Sequence, residues 1–267
     1  MAAKISQAER QTSIIELIIE HGSLHVEELA EHFGVSLMTL YRDLAVLESR
    51  QIITRHRGHV SLLVSSISEA PFSFRLAQEW ERKVAVARAA AQLVSQSATV
   101  FLDDSTTAYA AIDHIDEPAA KAFITNAMPA ARKIADGEYQ SLTLIGGRLI
   151  RQLDAAFGAG AVCQVRELAF ETALIGVASI KGGAIYHPFG EVASFKRELI
   201  SRVDQPILVA TTSKIDRVAL HRMGDVSDFA YLIIDDAISD RAFNEFSSQT
   251  NVKVVSPEKG QNHVRAD

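Results

Sequence analysis

Six short apolar runs punctuate the chain from residue 99 to residue 235: TVFL, AFIT, LTLIG, TALIGV, PILVA and YLIID. Between them lie stretches with helical spacing, among them MPAARKIA, EVASFKRELISR and DRAFNEFSS. Runs this short and this apolar read as strands buried on both faces. Strands that alternate with helices need crossover connections, so the pattern predicts a parallel sheet with helices on both faces, an α/β fold. Ahead of it, RLAQEWERKVAVARAAAQLVSQ reads as one long amphipathic helix.

Residues 6–63 follow a different rule and are dense in helix signals. A first helix is predicted over about Gln7 to Glu20, with Ile14, Leu17 and Ile18 as its apolar stripe and His21-Gly22 as its stop. Ser23-Leu24-His25 is a short extended piece. VEELAEHF forms a second helix that ends at Gly34, and Ser36 caps a third that runs to about Arg50. QIITRHRGHVSLL then reads as a small hairpin interrupted at Arg57-Gly58-His59. Three short helices with a close turn between the second and third, followed by a hairpin, describe a winged helix-turn-helix. SSISEAPFSFR has the small and polar composition of a linker. The expected organisation is therefore 1–64 for the winged domain, 65–75 for the linker and 76–267 for the α/β domain.

The third helix carries two kinds of residue. Leu40, Leu44 and Leu47 repeat at helical spacing and anchor it, while Ser36, Thr39, Tyr41 and Arg42 gather near its start. In a helix-turn-helix these early positions of the second helix face base edges and phosphates in the major groove. Arg42 suits a bidentate contact to guanine or a phosphate clamp, and Arg55 and Arg57 add backbone contacts from the wing. An ordinary small helical bundle with solvated arginines has the same pattern. Formal net charge is −6, which argues against nucleic acid when the chain is averaged. Between Ser36 and Val60, however, Arg42, Arg50, Arg55 and Arg57 outnumber Asp43 and Glu48, and a phosphate feels the local sum.

In the α/β part, strand TVFL runs into Asp103, Asp104, Ser105, Thr106 and Thr107 where a helix begins. Ligands of open α/β sheets bind beyond the carboxyl ends of strands, and a hydroxyl-rich helix start suits an anion. The same residues also describe a self-capped helix start. Further strand ends present Thr125 and Asn126, Gly146 and Gly147, Ser213 and Lys214, and Asp235 and Asp236. Glu191 and Lys196 stand on a helix nearby in sequence, and Tyr186, His187 and Phe189 precede it. No cysteine, histidine and carboxylate spacing suggests a metal site, and Gly146-Gly147 alone is no dinucleotide fingerprint.

The ordered motifs resemble the DeoR family of bacterial transcription regulators across nearly the whole chain. In ELAEHFGVSLMTLYRDLAVLESRQIITRHRG, Val35-Ser36, Thr39, Leu40, Arg42, Asp43, Leu44 and Leu47-Glu48 match the family pattern. Tyr41 stands where the first arginine of a pair is usual, and His59 replaces a wing glycine. Further on, the landmarks are Pro71-Phe72 with Arg75, Asp103 before the threonines, Thr125-Asn126, Gly146-Gly147, Glu191 before Lys196-Arg197, and Ser213-Lys214. The resemblance implies a C-terminal domain resembling ribose-5-phosphate isomerase and an effector that is a phosphorylated sugar or related metabolite. Carried over by position, the implied effector contacts are Asp103, Ser105, Thr106, Thr107, Thr125, Asn126, Gly147, Lys196 and Lys214; Asp104 and Glu191 join them from the residue reading. Asp104 stands where serine is common; beside a phosphate its carboxylate would repel, so either it turns toward sugar hydroxyls or the effector carries less negative charge. The resemblance also implies a repressor relieved by its effector, with activation left open. Operator DNA is expected to be bound as a homodimer or homotetramer, because two half-sites add their contacts and match protein symmetry, and no catalytic residue or cofactor is expected.

A rival reading makes the same pocket an isomerase of sugar phosphates, with Asp103, Asp104 or Glu191 as general base. A metabolic enzyme has no need of the N-terminal domain, which weighs against it. No stretch approaches the roughly 18 apolar residues of a membrane span, and the N-terminus lacks the apolar core of a secretory signal, so a cytoplasmic location is expected. Cys163, the one cysteine, is expected to be buried filler.

Overall fold

The computed structural model describes residues 5–21, 23–49, 52–62 and 69–257. The chain divides into two compact units at Pro71/Phe72. In the first, α1 (Gln7–His21), β1 (Ser23–His25), α2 (Val26–Phe33) and α3 (Leu37–Ser49) precede the strands β2 (Ile53–His56) and β3 (His59–Leu62). Gly34 holds α2's end in the left-handed region at φ 59°, where its N–H returns to the carbonyls of Ala30 and Glu31. β2 and β3 pair with His56 opposite His59, so Arg57 and Gly58 form a two-residue turn with positive φ at both positions. The extended piece Ser23–His25 is a third strand, pairing antiparallel with β3 to give the order β1-β3-β2. Ile14, Ile18, Leu29, Leu40, Leu44, Leu47 and Val60 close the core of this unit. The glycine stop expected at Gly22 lies outside the described residues, as does Arg50.

The second unit opens with α4 (Phe72–Ala77), α5 (Trp80–Val94), β4 (Thr99–Leu102), α6 (Thr106–Ala111), β5 (Ala122–Thr125), α7 (Met128–Ala135) and β6 (Ser141–Leu144). It continues with β7 (Arg148–Ile150), β8 (Ala155–Phe157), α8 (Ala159–Arg166), β9 (Phe170–Gly176), β10 (Ser179–Lys181), β11 (Ala184–His187) and α9 (Gly190–Arg202). β12 (Val203–Ala210), β13 (His221–Asp225), β14 (Tyr231–Asp235), α10 (Asp240–Ser247) and β15 (Asn251–Val255) complete it. Seven strands form one parallel sheet in the order β15-β14-β12-β9-β4-β5-β6. Alternate residues serve opposite faces, as the pleat requires. Val100, Leu102, Leu174, Ile207, Val209 and Ile233 pack with α5 and α6. Phe101, Ala173, Ile175, Leu208, Ala210, Leu232 and Ile234 pack with Val165 of α8, Phe195 and Leu199 of α9 and Phe246 of α10. The α/β expectation therefore holds, helices on both faces included. Among the described residues no helix is long and apolar enough to cross a membrane.

Three expectations change. The single helix expected through residues 75–96 is two helices, because Glu79 adopts φ 51° and breaks the ladder between α4 and α5. The tract 65–75 is not all linker, since α4 begins at Phe72; its N–H is taken by the Gln152 carbonyl at 3.0 Å, and the Phe72 ring is buried. Residues 65–68 lie outside the described residues. Cys163 is exposed on α8 rather than buried, because Ala161 and Val165 form the face that α8 turns to the core.

Candidate functional site

On α3 the division read from the sequence is present in the structure. Leu40 and Leu44 are fully buried, while Ser36, Leu37, Met38, Tyr41 and Arg42 are exposed at the start of the helix. Ser36 caps it: its Oγ accepts from the Thr39 N–H at 3.2 Å and lies 3.0 Å from the Thr39 hydroxyl. Asp43, on the inner face, is held by Arg10 Nε at 2.6 Å and Gln11 Nε2 at 3.4 Å, which ties α3 to α1. In the sequence Asp43 stands as a motif position and as one of two acids among the arginines; a carboxylate at a buried register of α3 was the signal of its packing role. Arg55 is already engaged, with its Nε donating to Glu48 at 3.0 Å and its guanidinium over the Tyr41 ring at 5.8 Å. Arg57 sits exposed at the wing tip. The arrangement offers hydroxyls, an aromatic and Arg42 outward from a helix fixed from behind, with Arg57 standing out from the hairpin.

In the second unit the parallel sheet brings its strand ends to one edge, and there Asp103, Asp104 and Lys196 meet. Asp103 and Asp104 follow β4, and Lys196 reaches them from α9. Its Nζ donates to Asp103 Oδ2 at 2.8 Å and to the Gly176 carbonyl at 2.9 Å, and lies 2.9 Å from Asp104 Oδ1 as an ion pair. All three are essentially out of solvent, at 1%, 2% and 2% exposure. Asp103 also accepts from the N–H of Ser105 at 2.8 Å and of Gly176 at 2.7 Å, which fixes the loop across to β9. Burial alone pulls an ammonium down and a carboxylate up. At Lys196 that burial is outweighed by the facing Asp103 and Asp104, which hold the ammonium above its ordinary range. At Asp104 it is outweighed by Lys196 and then Arg75, which hold the carboxyl below its usual range. At Asp103 burial prevails, with Asp104 adding to it, and the carboxyl is pushed up. Asp104 therefore turns to Lys196 and Arg75, not to open space for sugar hydroxyls, because two buried cations are its stronger partners.

Two glycines make this packing possible. A Cβ on Gly176 would lie 2.2 Å from Ser105 Cβ, so the loop after β4 can reach β9 only beside a residue without one. A Cβ on Gly147 would lie 2.5 Å from the Phe157 carbonyl, so the close seating of β8 itself calls for a glycine there. Gly176 went unremarked in the sequence; an isolated glycine at the end of an apolar strand was the available signal.

The other predicted residues fall in different surroundings. Ser105 caps α6, accepting from the Ala108 N–H at 3.1 Å, and Thr106 and Thr107 are buried in its first turn. Thr125 and Asn126 end the adjacent β5 and are fully buried; Thr125 Oγ1 accepts from the Ala127 N–H, and Asn126 donates to the Ala156 carbonyl at 3.0 Å while its Oδ1 meets no donor. Glu191 is not part of the buried cluster: it is exposed at α9's start and pairs with Arg148 at 2.5 Å. Lys214 belongs to a neighbouring cluster at the ends of β12 and β14. There Glu79 accepts from the hydroxyls of Thr211 at 2.9 Å and Ser213 at 2.6 Å, and Arg82 lies 3.3 Å from Asp235. Burial pushes the Glu79 carboxyl up, but these hydroxyls, with Lys214 and Arg82, bring it below its ordinary value.

Comparison with known proteins places this geometry. Residues 78–236 match the DeoR C terminal sensor domain, and residues 10–65 match the DeoR-like helix-turn-helix domain. The glycerol-3-phosphate regulon repressor of Escherichia coli is 30% identical over 84% of this chain and 88% of its own. The transcriptional repressor GlcR of Bacillus subtilis is 28% identical over 96% of this chain and 98% of its own. A ribose 5-phosphate isomerase A from Neisseria gonorrhoeae overlays on 54% of this chain and 56% of its own at 11% identity and TM-score 0.35. With both of its units matched in order and a relative at that identity over most of its length, the chain belongs to the DeoR family of transcription regulators.

Proposed function

We propose that the protein is a transcriptional repressor that reads operator DNA through α3 and the wing and releases it when the strand-end site of the α/β unit takes up a phosphorylated sugar. The observation that carries this reading is the polarity of α3. A helix buried without remainder along Leu40, Leu44 and Leu47 displays Ser36, Thr39, Tyr41 and Arg42 on its outer side at the end that enters a groove. Arg57 at the wing tip supplies a phosphate contact, whereas Arg55, tied to Glu48, positions Tyr41. The relatives named as repressors of the glycerol-3-phosphate regulon and of the aga operon support the sensing of a phosphorylated sugar.

The α/β unit acts as a sensor and not as an enzyme. Its buried carboxylates are occupied by Lys196 and Arg75, and these cations hold the Asp104 carboxyl below its usual range, which makes it a weak base and suits a structural ion cluster. The chain works as a homodimer or homotetramer in the cytoplasm, since paired half-sites add their contacts. The effector acts by differential affinity for the DNA-competent arrangement, with coupling on the order of 1–3 kcal/mol.

The test is fluorescence anisotropy with DNA from upstream of the protein's own gene, at several salt concentrations, with phosphorylated sugars added. The reading expects tight binding that weakens with one of them. Arg42→Ala should lower affinity and reduce the salt slope by about one. Equal binding by wild type and Arg42→Ala at low salt would refute the assignment of α3.

A further inference from the structure

Eight of the residues proposed to meet the effector are closed off, whereas Gly147, Glu191 and Lys214 are not. Asp103, Asp104, Ser105, Thr106, Thr107, Thr125, Asn126 and Lys196 are each 8% exposed or less. A ligand can touch them only after something moves. At these strand ends α4, six residues long, carries a cation that faces the buried cluster. Its Phe72 meets the Tyr109 ring of α6 edge-on at 5.4 Å, and its first N–H goes to the Gln152 carbonyl. Arg75 extends to the β4 loop, its Nη2 3.5 Å from the Asp104 carbonyl and 3.8 Å from Asp104 Oδ2. Behind it, the buried Lys83 of α5 donates to the Arg75 carbonyl.

The charges at this point are poised. Asp103 and Asp104 are opposed by Lys196 and Arg75, all within the protein. Lys196 is locked, with three short contacts and 2% exposure. Arg75 meets Asp104 at a distance longer than a good charge-assisted hydrogen bond. A phosphate group entering beside Ser105, Thr106 and Thr107 cannot sit against Asp104 unless a cation comes between them. Guanidinium and phosphate match in planar, bidentate geometry, which a 3.8 Å carboxylate contact does not equal. Arg75 is the cation on the movable element. A helix of six residues has little stability of its own, so its place depends on tertiary contacts such as this one.

We propose that α4 is a latch over the strand-end site and that Arg75 is its anion-responsive residue, exchanging Asp104 for the effector's phosphate and re-seating α4 as it does so. This rests on the reading of the strand ends as the effector site. It also gives that reading a route outward, because α4 is the first element after the segment that leads from the DNA-binding unit.

The test is hydrogen–deuterium exchange on the full chain, comparing wild type, Arg75→Gln and Asp104→Asn, with and without inorganic phosphate or a hexose 6-phosphate. Glutamine keeps arginine's helix propensity, so a change in α4 reports the lost contact. Both variants should speed exchange in residues 72–77 at least tenfold without ligand and leave the amides of β4 and β9 unchanged. In wild type the phosphate ester should alter exchange in the same segment, and Arg75→Gln should weaken its binding at least tenfold. Unchanged exchange at 72–77 in both variants overturns the latch. A phosphate ester that binds wild type and Arg75→Gln equally overturns the role of Arg75 while the sensing reading stands. Failure of every phosphate ester to bind wild type overturns the sensing reading itself, and with it the anion exchange.

Discussion

Replacing Lys196 by Met tests the central cluster most directly. The ammonium contacts Asp103 at 2.8 Å, Asp104 at 2.9 Å and the Gly176 carbonyl at 2.9 Å, at 2% exposure. Methionine fills much of the same volume, so the main loss is charge: two carboxylates remain buried with Arg75 alone opposite them. Removing one partner of a buried pair costs about 3–5 kcal/mol, because the other is left uncompensated. That is roughly two to four orders of magnitude in the unfolding equilibrium and a large share of a domain's usual 5–15 kcal/mol. With an m-value of about 2–3 kcal/mol/M, the urea midpoint should fall by about 1–2 M. The chain supplies its own reporter, since its one tryptophan, Trp80, opens α5 and follows this unit alone. The loss should also depend on pH. Without the ammonium, the folded state raises a carboxyl pKa above its unfolded value, so the variant's folded form binds the proton more tightly and its deficit shrinks as pH falls toward 5. Adding Asp104→Asn to Lys196→Met should recover part of the loss. A variant as stable as wild type at pH 7, or a deficit constant from pH 8 to 5, would refute the account of Lys196 as the counter-charge of both carboxylates.

Other consequences follow from single contacts. Asp43→Ala leaves the buried Arg10 guanidinium without the carboxylate at 2.6 Å, so the DNA-binding unit should lose roughly 1–3 kcal/mol, read as a lowered first transition in circular dichroism while Trp80 fluorescence is unmoved. Gly176→Ala places a Cβ 2.2 Å from Ser105 Cβ and should cost about 1–3 kcal/mol or more by Trp80 fluorescence, and a silent substitution would contradict the close approach of the two loops. Glu79 has a folded pKa below its ordinary value of 4.5, so its contribution is present above that pH and is lost as pH falls through the lower folded value. Glu79→Gln should therefore blunt the acid unfolding of this unit below about pH 4.5, which a pH titration of Trp80 fluorescence would read.

Much of the architecture was legible in the residues because local rules and tertiary packing agree there. The TVFL, AFIT, PILVA and YLIID runs are strands of the parallel sheet, and the leucine spacing of α3 describes its buried face. Where the signal was weaker than the packing, the reading failed. The short strands β7, β8, β10, β11 and β13 are only three to five residues long and exist through antiparallel partners that periodicity cannot reveal. The edge strand NVKVV is too exposed to read as buried. Nothing in RLAQEWERK announces a break at Glu79, where the side chain bonds to Thr211 and Ser213, some 130 residues away.

The sequence by itself determined the two periodicities, the polar start of α3 and the hydroxyl-rich end of β4, since each is a local arrangement of residue types along a few turns or one strand. Only the tertiary structure decided which charges meet. Lys196 is 93 residues from Asp103, and Arg75 is 29 from Asp104. Glu191, five residues before Lys196, belongs to the surface because α9 turns it toward Arg148. Ion partners are chosen by the order of strands in the sheet and the faces of the helices that cross it, and distance along the chain carries neither.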